Sequence, residues 1–294
     1  MGPGQSTLRL SSRHMRTIPA AKITETVARL CQQANYLLPR DVQQALSKAL
    51  HKEDSPRARD ILTQISDNAR VAQEKSIALC QDTGIAEVFV NLGQDAHIEG
   101  EILQDAVNKG VALGYTMGYL RTSIVADPLD RVNTNDNTPA QLTVTIVPGD
   151  QLEIVVLPKG GGTENASALR MFPPSAGWPA IVEFVLETVR EKGINSCPPL
   201  IVGVGLGGSF SAVGKLAKTA LLRQVGSAPS SGAYAAREKE LLDAVNALGI
   251  GPMGLGGRTT ALAVHIAHAP CHIACLPVAV AMHCHCLRRM TETL

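Results

Sequence analysis

Leu200-Ile201-Val202-Gly203-Val204-Gly205-Leu206-Gly207-Gly208 begins as an apolar run, becomes a glycine run and is followed by the helical pattern of Ser211 to Leu222. A short apolar run that ends in glycine reads as a buried strand, here over Leu200 to Val204. A strand feeding a helix is a unit of α/β packing. The glycine spacing also imitates a dinucleotide-binding fingerprint. That reading fails on two counts: the run lies about 200 residues into the chain, and no acidic residue follows at the roughly 20-residue interval that would hold a ribose. The glycines are read instead as a tight turn with close backbone packing.

Outward from this stretch, Trp178 to Lys192 and Ala235 to Leu248 read as helices, the second stopped by Gly249. Leu276 to Ala281 reads as a buried strand. Upstream, Ile85 to Leu92 is a strand entered through Asp82-Thr83-Gly84, and Glu99 to Leu120 has helical spacing. Leu142 to Val147 and Leu152 to Leu157 flank Pro148-Gly149-Asp150, so a hairpin is expected there. From Ala20 to about Ser76 the apolar positions recur helically, as in Val42, Leu46 and Leu50. The expectation is a mixed α/β (α+β) fold: a helical N-terminal third over 20–76, then a mixed sheet with flanking helices over 77–294, with no separating linker. Residues 1–19, with Arg9, Arg13 and Arg16 and no acid before Glu25, resemble a transit peptide in composition and are expected to be a disordered tail. The loose acylation pattern of Met1-Gly2 with Ser6 is spoiled by Pro3 and carries no weight.

The 294 residues are 45% hydrophobic and only 3% aromatic, so the core must be built from Ala, Val, Leu and Ile. Lys and Arg total 27 against 26 Asp and Glu, which gives no positive field for nucleic acid or an acidic membrane. No apolar run reaches the roughly 18 residues of a spanning helix. Seven cysteines without a secretory signal suit a reducing, cytoplasmic compartment in which thiols act as ligands or nucleophiles.

Lys159-Gly160-Gly161-Gly162 follows a strand, and three successive glycines let backbone N–H groups approach an anion such as a dicarboxylate. Arg258, after Gly254-Leu255-Gly256-Gly257, could offer a fork to a carboxylate. Cys271, Cys275, Cys284 and Cys286 lie among five histidines, so a zinc-stabilised interaction module is one reading, although no pair of C-x-x-C knuckles is present. The other reading takes Cys80, Cys197 and Cys284 from three distant turns as corners of a cluster that leaves one iron open.

Cys80-Gln81-Asp82-Thr83-Gly84, Arg131-Val132-Asn133-Thr134, Ala140-Gln141, Lys159-Gly160-Gly161-Gly162, Cys197-Pro198-Pro199, Gly256-Gly257 and Ala269-Pro270-Cys271-His272 occur in that order. Together they resemble the class I fumarase and L(+)-tartrate dehydratase family, as its separate α subunit or N-terminal half. The resemblance implies a hydro-lyase with a [4Fe-4S] cluster on Cys80, Cys197 and Cys284. It implies substrate contacts at Gln81, Asp82, Arg121 and the glycines Gly160, Gly161 and Gly162, and an active-site histidine at His272. Asp82 and His272 are the expected proton carriers, within reach of one another. Cys286 departs from the family's pattern and competes with Cys284. The segment Asn133 to Gln141 is closer to the fumarase form, so fumarate hydration is expected first and tartrate dehydration second. The catalytic base is expected from a β subunit, in a dimer of αβ units acting on a small dicarboxylate.

Overall fold

A computed structural model of the chain describes residues 15–229 and 231–294. Most of the expected tail, with its acylation pattern, lies outside those residues. Its last four do not behave as a tail: Arg16–Pro19 form strand β1, paired in parallel with β3 (Ala96–Glu99).

Three helices follow, α1 (Ala20–Tyr36), α2 (Arg40–Lys52) and α3 (Pro56–Lys75). Their boundaries follow local chemistry. Pro56 occupies the first turn of α3, where its missing N–H costs nothing, and the Ser55 hydroxyl accepts the Ala58 N–H. The remaining elements are β2 (Ile85–Gly93), α4 (Leu103–Met117), β4 (Gln141–Val147), β5 (Leu152–Lys159), the short α5 (Gly161–Asn165), β6 (Ala168–Phe172), α6 (Gly177–Lys192), β7 (Leu200–Gly208), α7 (Phe210–Ala220), α8 (Gly232–Ala247), β8 (Ala261–Cys271), β9 (Leu276–His283) and β10 (Met290–Thr293).

The strands form two four-stranded mixed sheets, ordered β10-β5-β2-β4 and β6-β9-β7-β8, besides the β1–β3 pair. The fold is therefore mixed α/β, as expected, but the sheet is divided. The expected hairpin is not one. β4 and β5 do not pair; both pair with β2, β4 in parallel and β5 antiparallel. The turn between them straddles the end of β2, where Gly93, Gln94 and Asp95 donate N–H bonds to Gln151, Val147 and Gly149. A Cβ on Gly93 would stand 2.5 Å from the Gly149 carbonyl oxygen, so this crossing needs glycine. Alternation and a turn signal define two strands and a reversal, but a third strand can slide between them if its end satisfies the turn.

Strand alternation sorts the core into layers. Ala86, Val88 and Val90 of β2, with Leu152, Ile154 and Val156 of β5, pack under α1 and α4. Phe89, Val155 and Leu157 point the other way, into a central layer shared with α2, α3, α7 and the second sheet. On β7, Val202, Val204 and Leu206 face α6 and α8. Gly203 and Gly205 face α7: an added Cβ would lie 2.2 Å from the Ala217 carbonyl oxygen and 2.3 Å from that of Val213. The glycine run thus serves close helix–strand packing, as its sequence context indicated. No helix of the described residues is long and apolar enough to cross a membrane.

His265 on β8 is buried and its Nδ1 lies 3.2 Å from the Ala220 carbonyl oxygen. Burial, then the Arg223 charge, push its pKa from 6.5 down to about 4; Glu238 opposes the shift and Arg289 adds to it. The unfolded chain takes up the proton first, so this contribution is complete above pH 6.5 and declines towards pH 4, by about 3 kcal/mol in all. Urea unfolding across that range should show His265→Gln with a shallower pH slope than the parent; equal slopes would refute the assignment.

Candidate functional site

Cys80 lies in the connection from α3 to β2, Cys197 in that from α6 to β7, and Cys284 directly after β9. The antiparallel pairing of β7 with β9 sets Ile201 opposite His283. Cys197 and Cys284 therefore leave the same end of the second sheet. Their connections are tied together: the Cys197 carbonyl accepts the His285 backbone N–H at 3.4 Å and has His285 Nδ1 at 3.0 Å. Cys197 is exposed, with left-handed backbone (φ 53°), and precedes a cis Pro198–Pro199 bond. The first sheet meets the second here, since His283 Nε2 lies 3.2 Å from the Pro158 carbonyl oxygen near the end of β5. Opposite that end of β5, β2 begins, with Ile85 paired to Lys159.

The Cys80 connection is anchored from several sides. Leu79 N–H donates to the Asn35 carbonyl at 2.9 Å, and the Leu79 carbonyl accepts from Asn68 Nδ2 at 2.9 Å. Asp82 Oδ1 accepts the Gly84 N–H at 2.9 Å and Oδ2 accepts the Gly161 N–H at 2.8 Å, so the carboxylate joins the Cys80 loop to the triple glycine. Gly160 has to be small: a Cβ would sit 3.0 Å from Asp82 Oδ2. A Cβ on Gly162 would meet the Asn195 carbonyl oxygen at 2.8 Å, which places the glycine loop against the turn leading into Cys197. Gln81 is exposed beside Cys80, with Oε1 3.5 Å from the thiol. Arg121 is also exposed, and its carbonyl accepts the Thr83 hydroxyl at 2.9 Å.

Cys197 feels the other two thiols. Burial pushes the Cys197 thiol up, and the nearby Cys284 and then Cys80 push it further. Cys284 is raised first by its hydrogen bond with Cys286, then by burial, against a lowering by His283. Cys286 itself is buried in the central core, whereas Cys284 is part-buried at its rim and so the more accessible of the two thiols. All seven cysteines are free. Among the described residues no three His, Cys, Asp or Glu side chains converge on a single metal ion. Cysteine thiolates are the donors that iron–sulfur clusters take, so the residue types brought to this edge fit such a group.

Two expected arrangements do not form within the chain. His272 sits in the turn between β8 and β9, at the opposite end of β9 from Cys284. The eight residues of β9 separate them by about 25 Å at roughly 3.3 Å per residue. Asp82 and His272 of one chain are consequently not within reach of each other, and the expected pair is corrected here. The same strand divides Cys271, His272 and Cys275 from Cys284, so the C-terminal Cys/His run builds no zinc knuckle. Arg258 turns its guanidinium onto the chain's own Asp54, with Nε 2.6 Å from Oδ2, and its backbone N–H onto Glu53.

Buried polar residues, Lys159 and Asn137 among them from stretches already named, complete the site. Buried Asn137 accepts the Ser123 N–H at 2.7 Å and donates to the Gly84 carbonyl at 3.1 Å, joining the Arg121 connection to the Cys80 loop. The Tyr115 hydroxyl donates to the carbonyls of Thr83 and Gly84, at 2.9 and 3.1 Å. Lys159, fully buried, pairs with Glu164 at 3.2 Å and donates to Thr163 at 3.2 Å, bracing the glycine loop. These partners are 4 to 53 residues apart in sequence, and no short motif announces them.

The family described as Fumarate hydratase (Fumerase) matches residues 24–293. A protein of Methanocaldococcus jannaschii, provisionally named L(+)-tartrate dehydratase subunit alpha, is 41% identical over 280 residues, 93% of this chain and 98% of the relative. The L(+)-tartrate dehydratase subunit alpha of Escherichia coli strain UTI89 is 35% identical over 274 residues, 92% of this chain and 90% of the relative. That of strain K12 is 34% identical over the same length.

Asn137→Ala would orphan the Ser123 N–H, leave the Gly84 carbonyl with the Tyr115 hydroxyl alone and put alanine at φ 60°, for a cost of about 2 kcal/mol. Urea denaturation of parent and variant measures it, and a loss below about 0.5 kcal/mol would contradict the bridging role.

Proposed function

Because the chain belongs to the fumarate hydratase (fumerase) family, we propose that it is the α subunit of an iron–sulfur hydro-lyase that interconverts fumarate and malate together with a β subunit. The observation that carries the reading is the delivery of Cys80, Cys197 and Cys284 by three separate connections to one end of the two sheets, where Cys284 and Cys80 both raise the Cys197 thiol. Cys80, Cys197 and Cys284 would hold a [4Fe-4S] cluster, which supplies when bound a Lewis-acidic iron that makes hydroxide a tolerable leaving group.

The rest of the chemistry belongs to the chain's own groups. Asp82, held by the N–H groups of Gly84 and Gly161, keeps further lone pairs on both carboxylate oxygens for a proton or a hydroxyl. Arg121 has its guanidinium free in solvent to pair with a substrate carboxylate, and Gln81 beside Cys80 orients the remainder. Gly160, Gly161 and Gly162 present backbone to the substrate without Cβ atoms in the way. The base that removes the carbon-bound proton comes from the β subunit. His272 serves only at the thiolates of another copy of the chain, which a dimer of αβ units would permit.

A second reading, dehydration of L(+)-tartrate, is favoured by the names of the relatives. Anaerobic reconstitution with a β chain, followed by assays on fumarate, malate and L(+)-tartrate, decides between them. Malate formation from fumarate at a higher kcat/KM than any turnover of tartrate is expected; the reverse order would establish the tartrate reading.

Reconstituted protein should contain iron and acid-labile sulfide, and Cys80→Ser, Cys197→Ser and Cys284→Ser should each lose most of both while Cys286→Ser keeps them. One zinc with no sulfide would refute the cluster. His272→Ala and Cys197→Ser variants, each inactive, should recover activity when co-assembled, up to about a quarter of the parent by random pairing. No recovery in confirmed mixed dimers would rule out sharing of His272 between copies.

A further inference from the structure

Arg288 is the largest fully buried side chain of the described residues, 1% exposed. Its Nη1 donates to Asn35 Oδ1 at 2.9 Å and to the Asp82 carbonyl oxygen at 2.8 Å, while its Nε is buried without a hydrogen-bond partner. Its neighbour Arg289 is neutralised by Asp41 at 2.6 Å; among the described residues no carboxylate forms such a pair with Arg288. A guanidinium stays protonated in a protein interior, and a buried charge without a counter-charge costs several kcal/mol. Such a group persists where anions nearby compensate it.

The geometry shows where those anions are. A Cβ built on Gly160 would lie 3.8 Å from Arg288 Nη2 and 3.0 Å from Asp82 Oδ2, so the guanidinium and the carboxylate both lie beside Gly160, on the side where its Cβ would stand. Arg288 is also four residues beyond Cys284 and bonded to the loop that carries Cys80.

We infer that Arg288 is a positioning residue of the proposed site: it anchors the Cys80–Gly84 connection through the Asp82 carbonyl and supplies the buried positive charge that holds the site's anions. The inference rests on the hydro-lyase reading and names the residue behind the site that makes an anionic cluster and a dicarboxylate tolerable together. Arg288 touches no substrate; it acts through Asp82 and through its field, which at short range in a poorly hydrated interior is only weakly screened.

The test uses the anaerobically assembled αβ protein, with succinate as a non-reacting dicarboxylate probe. Succinate binding is measured by calorimetry, and the cluster's reduction potential by a titration followed with electron paramagnetic resonance. Arg288→Gln is expected to weaken succinate binding at least tenfold and to move the potential to more negative values, because a lost positive charge disfavours the added electron. Arg288→Lys, which keeps the charge, should stay within about threefold of the parent in affinity and near it in potential. Should Arg288→Gln not fold, Asn35→Asp decides alone: it places a carboxylate against the intact guanidinium and should weaken succinate binding in the same direction. A Gln or Asp variant that matches the parent in both readouts, or a Lys variant that fails as badly as Gln, would overturn the inference. Parent protein without iron and sulfide would overturn the cluster reading instead, and the succinate arm, which needs no cluster, would still judge Arg288.

Discussion

The antiparallel register of β7 against β9, with Ile201 opposite His283, is the constraint from which the arrangement of the site follows. It brings the residue three positions before β7 and the residue just after β9 to one edge, so Cys197 and Cys284 become neighbours although 87 positions separate their numbers. The same register carries His272 to the far edge. A two-residue slip would displace either thiol by about 7 Å, and a one-residue slip would exchange the two buried faces of β9, driving Val and Met into the space of Ala. Burial of Val278, Val280 and Met282 on one face of β9 and of Ala279 and Ala281 on the other holds the register from both sides.

Around that edge the protein spends much of its polar material on buried contacts. Lys159, Glu164, Lys218 and Glu87 form one ionic chain across β5, α5, α7 and β2. Burial lowers the pKa of Lys159 and raises that of Glu87, each against the pull of its partner. The two positive and two negative charges balance, so this network can be buried without outside help. Arg288 differs in having no such partner, and it differs in the place where the proposed chemistry gathers negative charge. The glycines answer a steric demand rather than an electrostatic one: Gly160 and Gly162 admit neighbouring polar atoms, and Gly203 and Gly205 admit a helix.

Much of the proposed site was legible before the fold was known, because the residues proposed for it are chemically unusual ones in ordered local patterns. Cys80-Gln81-Asp82 and the triple glycine after Lys159 stood out as sequence and lie against one another as structure. The roles of Asn137, Tyr115 and Arg288 did not stand out, since each acts through a pair of hydrogen bonds to distant segments, and such bonds leave no periodicity or spacing. The expected pairing of Asp82 with His272 failed for a related reason. The twelve-position interval from His272 to Cys284 measures a distance along the chain, and eight of the residues between them are an extended strand that holds the two apart rather than a loop that folds back.

By itself the sequence determined the mixed α/β class, the helical N-terminal third, the close-packing role of the β7 glycines and the family to which the chain belongs, because these depend on local periodicity, on residue chemistry and on the order of short motifs. Only the tertiary structure decided that β2 lies between β4 and β5, that Cys286 is core and Cys284 rim, and that His272 stands apart from its own chain's thiols. Those outcomes depend on strand order and register, which arise from many weak long-range contacts summed over whole sheets, and no single stretch of sequence contains that sum.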